Sequence, residues 1–304
     1  MNKIKTFSRL MLLMAALIWG TSFVAQVVAM KYIEPFTFLF SRYTVGAVFI
    51  TLLAVIFDYG RRRRGEDVDS AAEWKGSIFG GSICGTVMFF GISIQQFGLQ
   101  HTQAGKAGFI TALYIILVPL IEFALGKRFG KKTWFTTILG VTGVYLLSVK
   151  SGFTIGWGDL LILSSTIFWA GHILLCDRYS KMRSPIKLSA VQFIATALLC
   201  GIGMAVTEHP VISNVLDSSF PIFYTGFFCT GVAYTLQMAG QKNLNPVETS
   251  FILCTECLFA LVGGYIVLGE TLKGRELFGC VLLFAAVLIA QLPEDFGVRR
   301  SDTF

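Results

Sequence analysis

Charge is scarce in this chain. Only 14% of its 304 residues are Asp, Glu, Lys or Arg, against about a quarter in a soluble domain. That deficit argues against a solvated globule more strongly than the 54% apolar content does. Histidine is scarcer still: His101, His172 and His209 are scattered, and none has an acid at metal-ligand spacing. No GxSxG, HExxH or Walker pattern occurs, and Gly201-Ile202-Gly203 lacks a third glycine. These absences exclude the common signatures of hydrolases, metalloproteases, nucleoside triphosphatases and dinucleotide enzymes, and no cofactor is expected. The seven cysteines (Cys84, Cys176, Cys200, Cys229, Cys254, Cys257 and Cys280) are odd in number and all fall in apolar stretches. They read as buried small side chains, not a disulfide framework. Cys254 and Cys257 have CxxC spacing but no second pair.

Long apolar runs are abundant. A membrane-spanning helix needs about 20 apolar residues, and ten stretches qualify, at 10–30, 35–57, 75–98, 103–125, 131–148, 157–178, 187–206, 219–241, 245–268 and 274–292. Short loops and tails leave no room for a soluble domain. The first stretch follows basic residues as a secretory signal does, but its apolar run is too long and no clean cleavage site follows, so it reads as a retained span. The expected fold is all-α and integral to a membrane, because unpaired backbone polar groups cannot face lipid.

The formal net charge of +7 suggests nucleic acid only until its distribution is read. With the N-terminus inside, nineteen of the 25 basic residues fall on the inner side: Lys3, Lys5, Arg9, Arg61 to Arg64, Lys75, Lys127, Arg128, Lys131, Lys132, Arg178, Lys181, Arg183, Lys187, Lys242, Arg299 and Arg300. The outer side holds Lys31, Lys106, Lys150, Lys273 and Arg275, and Arg42 lies within a span. This positive-inside pattern places both termini in the cytoplasm. The run Arg61 to Arg64 reads as a topology anchor at the lipid surface and not as a nucleic-acid patch.

Ten spans divide as five and five. Since five is odd, a repeated second half enters the membrane from the opposite side, the inverted architecture of many secondary carriers. Trp19 and Trp169 are 150 positions apart, as are Pro35 and Pro185; Leu125-Gly126 and Leu268-Gly269 are 143 apart, as are Val144 and Val287. The expected halves are 1–150 and 151–304, two inverted five-helix repeats.

Several runs resemble the EamA branch of the drug/metabolite transporter superfamily. Leu17-Ile18-Trp19-Gly20-Thr21-Ser22-Phe23 is similar to its opening helix, and Arg42-Tyr43 to its Arg-Phe pair. Gln96, Gly98, Leu99, Thr102, Ala104, Gly105, Ala107, Phe109, Ile110, Thr111, Leu113, Tyr114 and Pro119 resemble its third-to-fourth span junction. Gln241, Pro246, Glu256, Phe259, Ala260, Gly269 and Glu270 resemble its eighth and ninth spans. Where the family usually has proline after the ninth-span glutamate, this chain has Cys257, which implies a straighter helix. The resemblance implies a carrier of the cytoplasmic membrane that moves amino acids, related metabolites or drugs, often outward.

Ionisable groups inside spans face a cavity or a partner. Glu256 shares a face with Thr249 and Gly263 and either binds a substrate amine or proton or is protonated against a neighbouring helix. Arg42 either attracts a substrate carboxylate or clamps neighbouring helices. Glu122 is either a cavity wall or an interfacial acid beside Lys127 and Arg128. Trp19, Ser22 and Gln26 form one stripe, and Trp169, His172 and Cys176 its repeat mate; His172 either titrates as a proton site or bridges helices. Gln95, Gln96, Tyr114 and Gln237 complete the candidate set. Gly76 with Gly80, and Gly81 with Gly85, have the spacing of close helix packing.

The expected function is a secondary carrier exporting amino acids or related small metabolites, with a small-molecule substrate, the lipid bilayer and a coupled proton as partners; nothing fixes oligomeric state. The alternatives are an importer of a cofactor or nucleotide-like metabolite, and a non-transporting membrane enzyme or assembly subunit. Substitution of Glu256 or His172 is expected to abolish transport while leaving a folded, monodisperse protein; normal flux in either variant sinks the site assignment.

Overall fold

The computed structural model describes residues 3–66, 69–102, 104–148, 156–268, 274–290 and 292. The signals at Lys150, Gly269, Glu270, Lys273, Arg299 and Arg300 lie outside them, as does the Lys106 side chain. The described residues are helical without a strand: α1 (Lys3–Ala29), α2 (Pro35–Arg63), α3 (Ser70–Leu99), α4 (Ala104–Ala112), α5 (Tyr114–Ala124), α6 (Lys131–Ser148), α7 (Trp157–Ser180), α8 (Pro185–Thr207), α9 (Ile212–Asp217), α10 (Ser219–Phe223), a π-helical stretch π1 (Tyr224–Ala233), α11 (Tyr234–Gln241), α12 (Pro246–Leu253), α13 (Glu256–Leu268) and α14 (Gly274–Ala290).

Among the described residues seven helices are long and apolar enough to cross a membrane: Lys3–Ala29, Pro35–Arg63, Ser70–Leu99, Ala107–Ala124, Trp157–Ser180, Pro185–Thr207 and Pro246–Gly263. The other three expected spans are helical but fall short of that measure. The α6 helix opens on Lys131-Lys132 and is rich in threonine. The stretch at 219–241 changes winding twice, and α14 has only 17 residues.

Helix boundaries follow local chemistry. Proline occupies the first turn of α2, α8 and α12, where its missing N–H is harmless. Asp69 accepts from Ala72 N at 2.9 Å to cap α3, and Asn245 from Glu248 N at 2.7 Å to cap α12. Past the ends of α2 and α5, Gly65 and Gly126 take φ of 75° and 91°, which a side chain disfavours.

Outward faces are apolar, as at Leu52, Val55, Phe79, Leu198 and Ile202, while Gln26, Arg42, Gln96, His172, Gln192 and Gln237 are buried. A bundle that shows apolar side chains to its surroundings and gathers polar ones inside suits lipid as solvent. The helices come close through glycines. A Cβ on Gly81 would stand 2.6 Å from the Val191 Cβ, and one on Gly80 2.6 Å from the Tyr179 ring; the paired glycines of α3 thus seat α7 and α8. Gly20 seats α13, with Phe259 Cβ at 2.6 Å and Ala260 N at 2.8 Å from the same test position.

Packing partners come in matched sets. Helix α3 packs on α7 as α1 packs on π1 and α11; α3 packs on α8 as α2 packs on π1; α4 and α5 pack on α7 as α12 and α13 pack on α1. Helix α2 packs on α8, and α6 on α14. Exchanging α1 with α7, α2 with α8, α3 with π1–α11, α4–α5 with α12–α13, and α6 with α14 turns this set into itself.

One sequence expectation changes. Lys187 reads as one of the inner-side topology charges, yet it is only 2% exposed. It stands at the start of α8 with Asp58 Oδ2 at 2.9 Å and Glu73 Oε2 at 2.6 Å, because two carboxylates from α2 and α3 compensate its desolvation.

Overpacking a filled contact costs about 1–3 kcal/mol. Gly20→Val is therefore expected to lower the melting temperature in detergent by several degrees, whereas Gly105→Ala, with nothing within 4 Å of its added carbon, leaves it unchanged; thermal unfolding of both variants checks this.

Candidate functional site

Two helices break at corresponding places. Between α4 and α5 the chain turns at Leu113, whose N–H bonds three residues back to Ile110 O at 3.1 Å. Between α12 and α13 the turn is at Cys254-Thr255, where Thr255 N bonds Ile252 O at 3.2 Å. The sequence implied a straighter ninth span without proline. Side chains supply the break instead: Thr255 Oγ1 donates to Ile252 O at 2.6 Å and Cys257 Sγ to Cys254 O at 2.9 Å, engaging carbonyls at the break. Tyr114, first residue of α5, donates its hydroxyl to Glu256 Oε1 at 3.2 Å, and Glu256 is first in α13. The two breaks are thus joined by a side-chain hydrogen bond.

Around that bond lies a compact cavity of about 50 Å³. Helix α1 contributes Trp19, Ser22, Phe23 and Gln26; α2 contributes Arg42; α3 contributes Ile92 and Gln95. Thr111 and Tyr114 border the first break and Leu253 and Glu256 the second. The α7 helix adds Trp169, His172 and Ile173, and α11 adds Tyr234 and Gln237. Ten of the eleven candidates from sequence line this one space. Gln96 does not: it is fully buried on α3, with neither amide atom bonded among the described residues. Glu122 also stays away, buried and paired with Lys127. Cys176 is buried with its Sγ 3.4 Å from His172 Nε2 and does not line the cavity.

Arg42 is 2% exposed. Its Nη1 donates to Gln26 Oε1 at 3.2 Å and its Nε to Thr230 Oγ1 at 3.4 Å, while its guanidinium carbon sits 5.2 Å from the Tyr43 ring centre. Gln26 Nε2 passes the chain on to Ser22 Oγ at 3.1 Å. Among the described residues no carboxylate pairs with Arg42, and no base pairs with Glu256. His172 Nε2 lies 3.2 Å from Gln192 Oε1 on α8, so it bridges helices and borders the cavity at once. Gln95 Nε2 donates to Thr111 Oγ1 at 2.7 Å.

Tyr234 is the residue the sequence reading missed. Its ring centre is 4.5 Å from Trp19, 6.3 Å from Trp169 and 6.0 Å from His172, so it closes an aromatic wall. Trp19 Nε1 is taken by Cys229 O at 3.2 Å, whereas Trp169 Nε1 has no partner among the described residues. The signal for Tyr234 was in the spacing: it is 142 positions from Ile92, as Gln237 is from Gln95, Leu253 from Thr111 and Glu256 from Tyr114. Similarly, Trp169, His172 and Ile173 are each 150 from Trp19, Ser22 and Phe23, and Gln192 is 150 from Arg42.

A polar cavity inside an apolar-coated helical bundle, flanked by broken helices, is the arrangement a multi-pass membrane transporter needs. Its family follows from comparison. The model of the EamA-like transporter family matches residues 6–149 and again 156–291, so the chain belongs to that family and carries its domain twice. An uncharacterized transporter of Archaeoglobus fulgidus is 30% identical over 95% of this chain and 87% of its own length. A WAT1-related chloroplastic protein of Arabidopsis thaliana is 24% identical over 91% of this chain and 67% of its own. A solved crystal structure superposes with a TM-score of 0.70 at 18% identity, covering 93% of this chain and 96% of the other, which shows a shared fold.

Loss of a buried hydrogen-bond partner costs about 1–3 kcal/mol. Tyr114→Phe is therefore expected to lower the melting temperature by several degrees without dissociating the fold; an unchanged melting curve removes the Tyr114–Glu256 bond as the tie between the breaks.

Proposed function

We propose that the chain is a secondary transporter of the cytoplasmic (inner) membrane that exports amino acids or related small metabolites by alternating access. In this reading ten spans form two inverted five-helix halves, 1–150 and 151–304, with both termini cytoplasmic and a proton as the coupled ion. The matched packing partners and the constant spacing between equivalent residues support the inverted halves. The basic residues that converge at one end of the bundle, Arg61, Lys181, Arg183 and Lys242, support that end as the cytoplasmic one.

The observation that carries the substrate class is the pair Arg42 and Glu256 in one cavity. Each is at most 5% exposed, and neither has an ionic partner among the described residues. A buried charge is expensive unless compensated. A ligand bringing a carboxylate to Arg42 and an ammonium to Glu256 relieves both at once, and the unbonded Trp169 Nε1 offers that carboxylate a further donor. A zwitterionic amino acid is such a ligand. Glu256 and His172 are the groups in reach of this site that a coupled proton would occupy.

The test is a thermal-shift screen of unlabelled metabolites on the purified protein, followed by counterflow in liposomes for each hit. An amino acid is expected to stabilise and to exchange. Arg42→Met is expected to lower its affinity about tenfold or more, as lost charge-assisted hydrogen bonds do, while an N-acetylated analogue is expected to lose binding to wild type through Glu256. Stabilisation by nucleotide-like or cofactor compounds alone overturns the amino-acid reading in favour of the importer. No ligand and no flux in folded protein overturns transport by this chain alone.

A further inference from the structure

Among the described residues four polar clamps tie the bundle together, two at each end, and six of their eight side-chain positions recur at the repeat spacing. At the basic end Arg9 Nε on α1 reaches Glu248 Oε1 on α12 at 2.7 Å, and Lys187 at the start of α8 holds Asp58 on α2 at 2.9 Å. At the opposite end Thr102, before α4, donates to Asp159 Oδ1 on α7 at 2.9 Å. Glu208, at the end of α8, accepts from Phe36 N at 2.7 Å and Thr37 N at 2.6 Å in the first turn of α2. Arg9 and Asp159 are 150 positions apart; so are Thr37 and Lys187, and Asp58 and Glu208. The two α2–α8 clamps are therefore equivalents of each other at both residues, while the other two share the equivalent positions Arg9 and Asp159 but not their partners, Glu248 and Thr102 being 146 apart.

The pairs differ in how the internal two-fold treats them. It maps the contact of α2 with α8 onto itself with its ends exchanged, and that contact is clamped at both ends. A carrier that alternates by exchanging the conformations of its halves leaves such a contact intact in every state. The same operation turns the contact of α1 with α12 at the basic end into that of α7 with the start of α4 at the opposite end. Those two contacts trade places when the halves trade conformations.

We propose that Arg9–Glu248 and Asp159–Thr102 are the latches of the two gates, each broken in the state open at its own end, while Asp58–Lys187 and Glu208–Thr37 are permanent staples of the α2–α8 pair. The latches act through helix position and touch no substrate; Gly20, seated on α13, and α12 with its break lead from the basic-end latch to the cavity. This rests on the alternating-access reading, but its test needs no substrate.

Hydrogen–deuterium exchange is measured on the full-length protein in nanodiscs, over residues 242–253 at the basic end and 156–166 at the opposite end. Removing the basic-end pair with Glu248→Gln is expected to raise exchange at 242–253 and lower it at 156–166, each about fivefold, the population shift that loss of one such pair produces. Asp159→Asn is expected to do the reverse. The exchanged pair Arg9→Glu with Glu248→Arg is expected to restore wild-type exchange at both ends. Asp58→Asn and Glu208→Gln are expected to lower the melting temperature with no opposite-signed change. If Glu248→Gln does not fold, Arg9→Gln removes the same pair. A rise confined to 242–253, or opposite-signed changes in the staple variants, overturns the assignment. Failure of wild-type counterflow with intact opposite-signed exchange would sink the substrate reading and spare the gates.

Discussion

Backbone that leaves helical hydrogen bonding cannot face lipid, and this constraint organises the molecule. The chain breaks its helices at Leu113 and at Cys254-Thr255. Each break frees carbonyls and N–H groups that water cannot satisfy. Both breaks therefore face protein, and the side chains that begin the two resumed helices, Tyr114 and Glu256, bond to each other. The remaining helices enclose that seam. Helix α1 lies against α13 at Gly20, where no side chain intervenes, and α7 lies against both α4 and α5. The cavity is the space left where two broken rods and their neighbours cannot fill the interior.

Internal pairing governs how that space is furnished. Cavity positions come in equivalents 150 apart in the early helices and 142 apart in the later ones. Trp19 with Trp169 and Gln95 with Gln237 keep their chemistry. Others do not: Ser22 corresponds to His172, Ile92 to Tyr234 and Tyr114 to Glu256, while the cavity residue Arg42 corresponds to Gln192, which meets His172 and does not line the cavity. The bonding follows the same rule with altered partners. Arg42 on α2 holds Gln26 on α1, and Gln192 on α8 meets His172 on α7. One arrangement is built on a guanidinium and its counterpart on an imidazole.

The legible part of the fold is the part written in polarity and in kept residues. Apolar runs marked the helices, and Trp19, Trp169, Pro35 and Pro185 gave the register of the early helices. That register, with the rule that ionisable groups in spans face inward, led to most of the cavity. Tyr234 escaped because its equivalent is Ile92, and a tyrosine in an apolar run is as easily a lipid-facing side chain. The break before Glu256 escaped because neither proline nor glycine marks it; hydroxyl and thiol groups bonding backward onto carbonyls make it, and such bonds are common in unbroken helices too. Lys187 read as a topology charge because its acidic partners, Asp58 and Glu73, lie more than a hundred residues away in sequence.

Like and unlike equivalents carry different demands. A carrier whose halves exchange roles must be mechanically even-handed, so residues that set helix approach can be similar in both halves, as Trp19 and Trp169 are. A zwitterionic solute of the kind proposed above makes no such demand. It has one anionic end and one cationic end, and it needs one site of each sign, not two. The positions where the repeat is broken in charge, Arg42 against Gln192 and Glu256 against Tyr114, are where a single oriented solute would leave its mark on an otherwise doubled frame. Had both halves kept arginine, two buried guanidinium groups would face one ligand carboxylate, and the desolvation of the second would go uncompensated. On this argument the loss of symmetry inside the cavity is itself a feature of recognition, set within a scaffold whose clamps at Arg9 and Asp159, and at Asp58 and Glu208, still follow the repeat.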